Sequence, residues 1–223
     1  TVGNFDGLHT GHQRLLLRLC EAAAERQLTA SVVTFEPHPQ RVIAPNRPLA
    51  LLTPLADKLL LLDRLGVERT VVLEFTDALR ATDSATFVQE ILVSRLRVGH
   101  MVVGPDTRFG ADQGGGLDQL ARLGALCDFT AEAVAAIHVD GTAVSSSLIR
   151  AHVQEGAVAA AAELLGRPFR LRGDIVRGHQ RGRHLGFPTA NLAPRRAPGE
   201  ADLVPADGVY AGRLWVGPDA YAA

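Results

Sequence analysis

Over its first 165 residues the chain alternates short β-branched runs with longer stretches of helical spacing, and few architectures accommodate that pattern. Arg14 to Glu25 places Leu16, Leu19, Cys20 and Ala23 on one helical stripe, and Ala30 to Phe35 reads as a strand. Thr53 and Pro54 predict an N-cap and a first helical residue, with Gly66 closing that helix. A buried strand is expected at Thr70 to Leu73, and a helix from a Ser84 cap to about Leu96. A short strand at Met101 to Val103 precedes a Gly-rich loop, Gly104 to Gly116, and a helix over Leu117 to Leu126. Strands around Phe129 to Val139 and a helix from about Ser146 complete the series. The alternation predicts an α/β fold on a doubly wound parallel sheet.

After Gly166-Arg167-Pro168 the texture changes. Gly, Arg and Pro become frequent, and Asp174 to Val176, Gly208 to Ala211 and Arg213 to Val216 read as short strands, as at the start of a small β-barrel. Pro194 to Gly199 reads as a loop. Charge divides at the same place: residues 1–165 hold 14 basic and 19 acidic side chains, a net of -5, whereas residues 166–223 hold 9 and 5, a net of +4. Two units are therefore expected, 1–165 and 166–223.

Composition excludes several classes. Apolar residues make up 47%, enough for a packed core, yet no apolar run approaches the ~20 residues of a membrane span, and no signal peptide is visible. A net charge of -1 argues against a general nucleic-acid binder. Cys20 and Cys127 have no metal-ligand spacing and are expected to be unpaired thiols of a cytoplasmic protein. Lys58 is the only lysine, a bias that fits a GC-rich genome as well as any functional demand. Nothing in the sequence sets an oligomeric state.

Two segments carry the chemistry of the first unit. Thr1-Val2-Gly3-Asn4-Phe5-Asp6-Gly7-Leu8-His9-Thr10-Gly11-His12-Gln13 leaves a strand, turns, and enters a helix. A helix start offers free N–H groups and the positive end of a dipole to an anion, and Gly3, Gly7 and Gly11 allow close backbone approach. His9 and His12 can face one point, where two imidazole donors would stabilise charge developing on a phosphate. Capping or packing, and metal binding, are the other readings of the pair. The second segment is Val144-Ser145-Ser146-Ser147-Leu148-Ile149-Arg150. Its hydroxyls suit a helix N-cap, and an Arg one turn on can clamp a leaving pyrophosphate.

Together the two segments resemble the paired motifs of the nucleotidyltransferase superfamily, and specifically the FMN adenylyltransferase domain of prokaryotic FAD synthetases, with its G-x-F-D-G-x-H-x-G-H-Q and S-S-T-x-x-R. Ser147 stands for the family's Thr and keeps a hydroxyl. Thr34-Phe35-Glu36-Pro37-His38-Pro39 is similar to the family's F-x-P-H-P loop, and Val103 to Gly110 to its V-G-x-D-F-R-F-G, with Thr107 in place of the first Phe. The resemblance implies transfer of AMP from ATP to FMN. It assigns catalysis to His9, His12, Ser146 and Arg150, and ATP binding to Gly3, Asn4, Phe5, Asp6, Gly11, Ser145 and Ser147. Phe35, Pro37, His38, Asp106, Arg108 and Phe109 fall on the flavin side, with Mg²⁺ bridging phosphates. An FMN phosphate, with a second pKa near about 6, needs no general base.

The stretch from Gly173 to Asn191 resembles the riboflavin kinase signature G-x-V-x-x-G-x-x-x-G-R-x-L-G-F-P-T-A-N, and Asp207 to Gly212 the following G-V-Y-A strand. The likeness assigns ATP and metal contacts to Gly178, Gly182, Arg183, Thr189 and Asn191, with Mg²⁺ on Thr189 and Asn191, whose oxygens suit a hard cation. An RNA-binding basic loop would interleave aromatics, and only Phe187 lies among these bases. The expected partners are thus ATP, FMN and riboflavin, with no nucleic acid and no membrane. The chain is expected to lack its extreme N-terminus and the family's later catalytic Glu, for which Glu200 is in the wrong context. Its barrel is expected not to close, and kinase activity to be absent. The alternatives are another small-molecule nucleotidyltransferase or a non-catalytic flavin-binding module.

Overall fold

A computed structural model describes residues 1–47, 49–178, 189–194 and 203–222. Helix α1, Thr10–Arg26, begins before Arg14 because His9 caps it, and it buries Leu15, Leu16, Leu19, Ala22 and Ala23 on one stripe. Strand β1, Ser31–Glu36, buries Val32 to Phe35 continuously, the pattern of a strand covered on both faces. Helices α2, Pro39–Ile43, and α3, Leu55–Arg64, follow. Pro54, with no side-chain cap bond, takes the N-cap position expected of Thr53, whose backbone N–H is instead spent on Asp6.

Strand β2, Arg69–Glu74, runs parallel to β1 in register from Ser31↔Arg69 to Glu36↔Glu74, and it is half-buried to exposed where a buried strand is expected from the sequence. Val2 pairs in parallel with Val33 on the other edge of β1, where Val33 N–H donates to Thr1 O and Gly3 N–H to Val33 O. Helix α4, Asp77–Ala81, leads to α5, Ser84–Thr86, which continues as a π-helical stretch, Phe87–Arg95. Asp83, rather than the expected Ser84, caps that segment, because the Ser84 N–H and hydroxyl both donate to Asp112.

Strand β3, His100–Val103, lies before α6, Leu117–Cys127, and pairs in parallel with β4, Thr130–Ala133. β5, His138–Val139, and β6, Thr142–Ala143, form a hairpin whose turn residues, Asp140 and Gly141, take φ of 50° and 76°, as a tight two-residue turn requires. Helices α7, Ser146–Gln154, and α8, Val158–Leu165, pack on one another, α8 having no counterpart in the sequence reading. The rest is antiparallel: β7, Gly173–Val176, with β8, Asn191–Pro194, and β9, Arg213–Val216, with β10, Asp219–Ala222. Gly208 to Ala211, expected as a strand, is not one.

The chain is thus α/β, and among the described residues its parallel strand pairs lie in the first unit. Three apolar clusters hold the described residues. One seats α1 on β1 and α3; a second gathers Phe35, Phe87, Met101 and Leu120. The third, with Ile149, Val153, Ala161, Leu164 and Leu165, also takes Ala50, Leu52 and Leu203. Ile149 and Val153 are fully buried, and each such side chain contributes about 1.5–3 kcal/mol. That packing presses the start of α7 against the turn after Gly3. Among the described residues, no helix is long and apolar enough to cross a membrane.

Candidate active site

Three of the first unit's four motifs leave the carboxyl ends of parallel strand segments: the Gly-His turn after Val2, Pro37-His38-Pro39 after β1, and the loop from Gly104 after β3; the fourth, Val144 to Arg150, follows the antiparallel β5–β6 hairpin. Ligands of open α/β sheets bind at that edge.

The Gly-His turn is tightly built. Phe5 and Leu8 sit at φ of 51° and 42°, and Gly7 at 85°, where a Cβ would lie 2.8 Å from Leu52 Cδ1. His9 and His12 stack with ring centroids 3.6 Å apart and planes 18° apart, and the Phe5 ring meets His12 edge-on at 5.2 Å. A Cβ on Gly11 would come within 3.2 Å of the His9 ring, so Gly keeps this stack open. The backbone N–H of His12 donates to His9 Nδ1 at 3.3 Å. In a neutral ring an accepting Nδ1 puts the proton on Nε2. His12 Nδ1 is buried without a hydrogen-bond partner among the described residues. Burial pulls His9 down to about 4, the Asp6 carboxylate opposing it and Arg167 adding to it. Burial, then His9 and Lys58, hold His12 well below the ordinary imidazole range. Both rings are therefore neutral donors near pH 7.

Asp6 joins the two motifs. Its Oδ1 accepts from Thr53 N–H at 3.0 Å, and its Oδ2 from Leu52 N–H at 3.2 Å and from Arg150 Nη2 at 2.7 Å. Its carbonyl accepts from the Ser146 hydroxyl at 2.8 Å. Arg150 also donates through Nε to Ala50 O. Ser145 caps α7 by accepting from Leu148 N–H, and Ser147 is exposed. The family resemblance assigns Asp6 to the nucleotide, and in the structure its carboxylate is hydrogen-bonded to Leu52, Thr53 and Arg150.

α8 locks the turn from the other side. Gln13 Nε2 donates to Leu8 O and Leu165 O, the Thr10 hydroxyl to Leu164 O, and Arg167 to Gly7 O, Leu8 O and Leu165 O. The sequence reading gave Arg167 no role; a guanidinium after a helix that ends at an αL Gly166 was the available signal.

His38 is buried, caps α2 by accepting from Gln40 N–H at 3.2 Å, and is pulled down to about 4 by burial, with Asp6 opposing and Lys58, Arg150 and Arg41 adding. The Phe35 ring is committed to the core, edge-on to Phe75 at 5.5 Å, while Pro37 is half-buried. In the loop after β3, Asp106 and Arg108 are exposed and Phe109 packs at 5.5 Å from Phe87. Gly3 continues the pairing with β1, and Asn4 O accepts from the Thr34 hydroxyl.

In the second unit Val176 pairs with Asn191, and the Asn191 amide lies against Gly178 with no room for a Cβ there. Thr189 and Asn191 are exposed. Gly182 and Arg183 lie outside the described residues. Among the described residues no group of three or more His, Cys, Asp or Glu side chains is placed to hold a metal ion.

Residues 1–148 match the FAD synthetase family and residues 165–223 the riboflavin kinase family. The bifunctional riboflavin kinase/FMN adenylyltransferase of Pseudomonas fluorescens is 41% identical over 210 residues, which cover 94% of this chain and 66% of that protein. The protein of the same name from Escherichia coli strain K12 is 37% identical over 95% of this chain and 66% of its own length. That from Bacillus subtilis strain 168 is 33% identical, over 99% and 68%. This chain thus spans 66% of the length of the first two relatives. A crystal structure described as a macrolide-efflux protein from Streptococcus pneumoniae superposes with a TM-score of 0.88 at 30% identity, covering 99% of this chain and 71% of that one.

Proposed function

The chain belongs to the bifunctional riboflavin kinase/FMN adenylyltransferase family, and on that footing we propose that residues 1–165, a doubly wound nucleotidyltransferase domain, convert FMN and ATP to FAD and pyrophosphate. A phosphate oxygen of FMN attacks the α-phosphorus of ATP. A P–O bond forms, the bond from the α-phosphorus to the bridging oxygen breaks, and pyrophosphate leaves with that electron pair. The FMN phosphate, with a second pKa of about 6, is already ionised, so no proton has to be removed. Positioning and electrostatics are then the whole task.

His9 gives its Nε2–H, and His12 its ring N–H, to oxygens of the α-phosphate. Being neutral, the rings donate without drawing a counter-ion into the site. Arg150, fixed by Asp6 and Ala50 O, offers Nη1 to the departing pyrophosphate beside Ser146. Gly3, Asn4, Phe5 and Gly11 shape the nucleotide side, with Ser145 and Ser147 at the start of α7. Pro37, His38, Asp106, Arg108 and Phe109 border the flavin, and Phe35 supports them from the core.

Residues 166–223 form a riboflavin kinase unit, with Gly178, Gly182, Arg183, Thr189 and Asn191 at its nucleotide. The whole protein makes FMN from riboflavin and ATP and passes it to the first unit's reaction in the cytoplasm. A side-chain hydroxyl and an amide oxygen, both open to solvent, fit Mg²⁺, and Thr189 and Asn191 would hold it. Bound there, and with the nucleotide in the first unit, Mg²⁺ supplies neutralisation of phosphate charge.

The observation that carries the adenylylation reading is the Asp6–Arg150 tie, which brings residues 144 positions apart to the stacked histidines. The test is chromatography of FMN, ATP and Mg²⁺ incubated with the protein. FAD and pyrophosphate are expected, with His12→Ala slowing FAD formation about 10²–10³-fold at an unchanged circular dichroism spectrum. A folded wild type that makes no FAD refutes the reading.

A further inference from the structure

Lys58, the chain's only lysine, lies on α3 with 4% of its surface exposed. An ammonium has three donors to place, and a buried charge without partners costs several kcal/mol. Among the described residues Lys58 Nζ makes one hydrogen bond, to the Thr34 hydroxyl at the long distance of 3.4 Å, and no ion pair. The nearest negative groups felt by its charge, Asp6 and Glu36, do not close on it: both Asp6 oxygens are taken by Leu52, Thr53 and Arg150.

The position is as telling as the missing partner. Thr34 Oγ1 donates onward to Asn4 O, so the amine reaches β1 at the residue whose hydroxyl is bonded to the Gly-His turn. Its charge is felt by both His12 and His38. Lys58 thus touches, through Thr34, the turn assigned to the nucleotide and lies within electrostatic reach of the loop assigned to the flavin. Two phosphates must meet there, the imidazoles are neutral, and Arg150 is bound to Asp6.

We propose that Lys58 is a phosphate-binding residue of this site, its ammonium holding the anionic oxygens of the phosphate monoester that attacks the nucleotide. The inference rests on the adenylylation reading above and names the group that seats its nucleophile. Lys58 moves no proton; it lowers the repulsion between the two phosphates as the new P–O bond forms.

The whole chain and the variants Lys58→Met and Lys58→Arg distinguish the possibilities, with FMN, riboflavin and ATP as probes. Lys58→Met is expected to raise the KM for FMN at least about tenfold while the KM for ATP moves less than about threefold. Flavin fluorescence titration, which needs no turnover, should show its preference for FMN over riboflavin compressed by at least about tenfold. Lys58→Arg should recover part of both. The melting temperature of Lys58→Met should stay level or rise, because a buried charge without an ion-pair partner among the described residues has gone; a structural lysine would give the reverse.

The proposal is overturned if Lys58→Met keeps its FMN KM and its FMN-over-riboflavin preference within about threefold of wild type. It is equally overturned if Lys58→Met and a Lys58→Gln variant both fail to fold. Absence of FAD from the wild type would count against adenylylation, and the titration would still judge Lys58. FAD formed equally well by wild type and Lys58→Met would remove Lys58 alone.

Discussion

The Gly-His turn and the β7–β8 hairpin are both phosphate-site candidates rich in glycine, yet they are held in opposite ways. Phe5, Asp6, Leu8 and His9 are each at most 6% exposed. Their turn is tied to groups far away in sequence, the side chains of Ser146, Arg150 and Arg167 and the backbone carbonyls of Leu164 and Leu165 among them. In the hairpin, Asp174 to Gly178 and Thr189 to Leu192 are exposed, and the pairing is local to two short strands. The hairpin carries the longer sequence signature and the turn the denser tertiary structure. Motif length therefore measures how much chemistry a stretch must present, not how firmly the fold grips it. A site of neutral imidazoles needs its geometry fixed from outside; a loop that offers oxygens to a hydrated cation does not.

Substituting Asp6 would break the comparison most severely. Asp6→Ala removes three acceptor contacts from a buried carboxylate and leaves Arg150, whose side chain is 16% exposed, without its charge partner. Breaking one side of a buried pair costs about 3–5 kcal/mol, which in a chain of this size lowers the melting temperature by about 10 °C. Thermal unfolding followed by circular dichroism reads it. A shift of only a degree or two would mean that the turn is held mainly by Arg167 and Gln13.

The sequence made the elements legible and left their ties hidden. Hydrophobic pattern alone located α1, β1, β2, β3 and α6 to within a few residues; all but β2, which is only half-buried, bury a stripe or run of their own. The errors fall where a distant group outbid a local rule. Thr53 looked like a cap, but its N–H belongs to Asp6; Ser84 looked like a cap, but its hydroxyl belongs to Asp112. Helix α8 went unread because its window, Val158–Leu165, is nearly uniform in alanine and leucine and offers no polar face to set a period. In the site, motif likeness brought forward His9, His12 and Arg150. It had no purchase on Arg167 or Lys58, whose importance comes from burial and from what they face.

Acid should act unequally on the two regions. His9 and His38, buried in the first, are pulled from 6.5 to about 4 by burial, so the folded state holds them neutral while the unfolded state protonates them below pH 6.5. Their contribution is fully present above pH 6.5 and is lost as pH falls toward 4. Between pH 7 and pH 5 each imidazole should remove about 2 kcal/mol of unfolding free energy. His38→Asn keeps an acceptor for the Gln40 N–H and removes one titration. Urea unfolding at the two pH values should therefore show a dependence about 2 kcal/mol shallower in that variant. An unchanged dependence would mean that the acid response arises elsewhere.

The smallest effect belongs to the hairpin. Asn191 is exposed, and its amide rests against Gly178 without being buried there. Asn191→Ala should alter unfolding free energy by no more than about 0.5 kcal/mol, as for other surface positions, and leave FAD formation by the first unit at the wild-type rate. Urea unfolding and the chromatographic assay, run on one preparation, read both quantities. A loss of several kcal/mol would show that the hairpin is bound into the fold as tightly as the Gly-His turn. A fall in FAD formation at unchanged stability would mean that the two regions act on one nucleotide, and the separation between a clamped site and an open one would have to be given up.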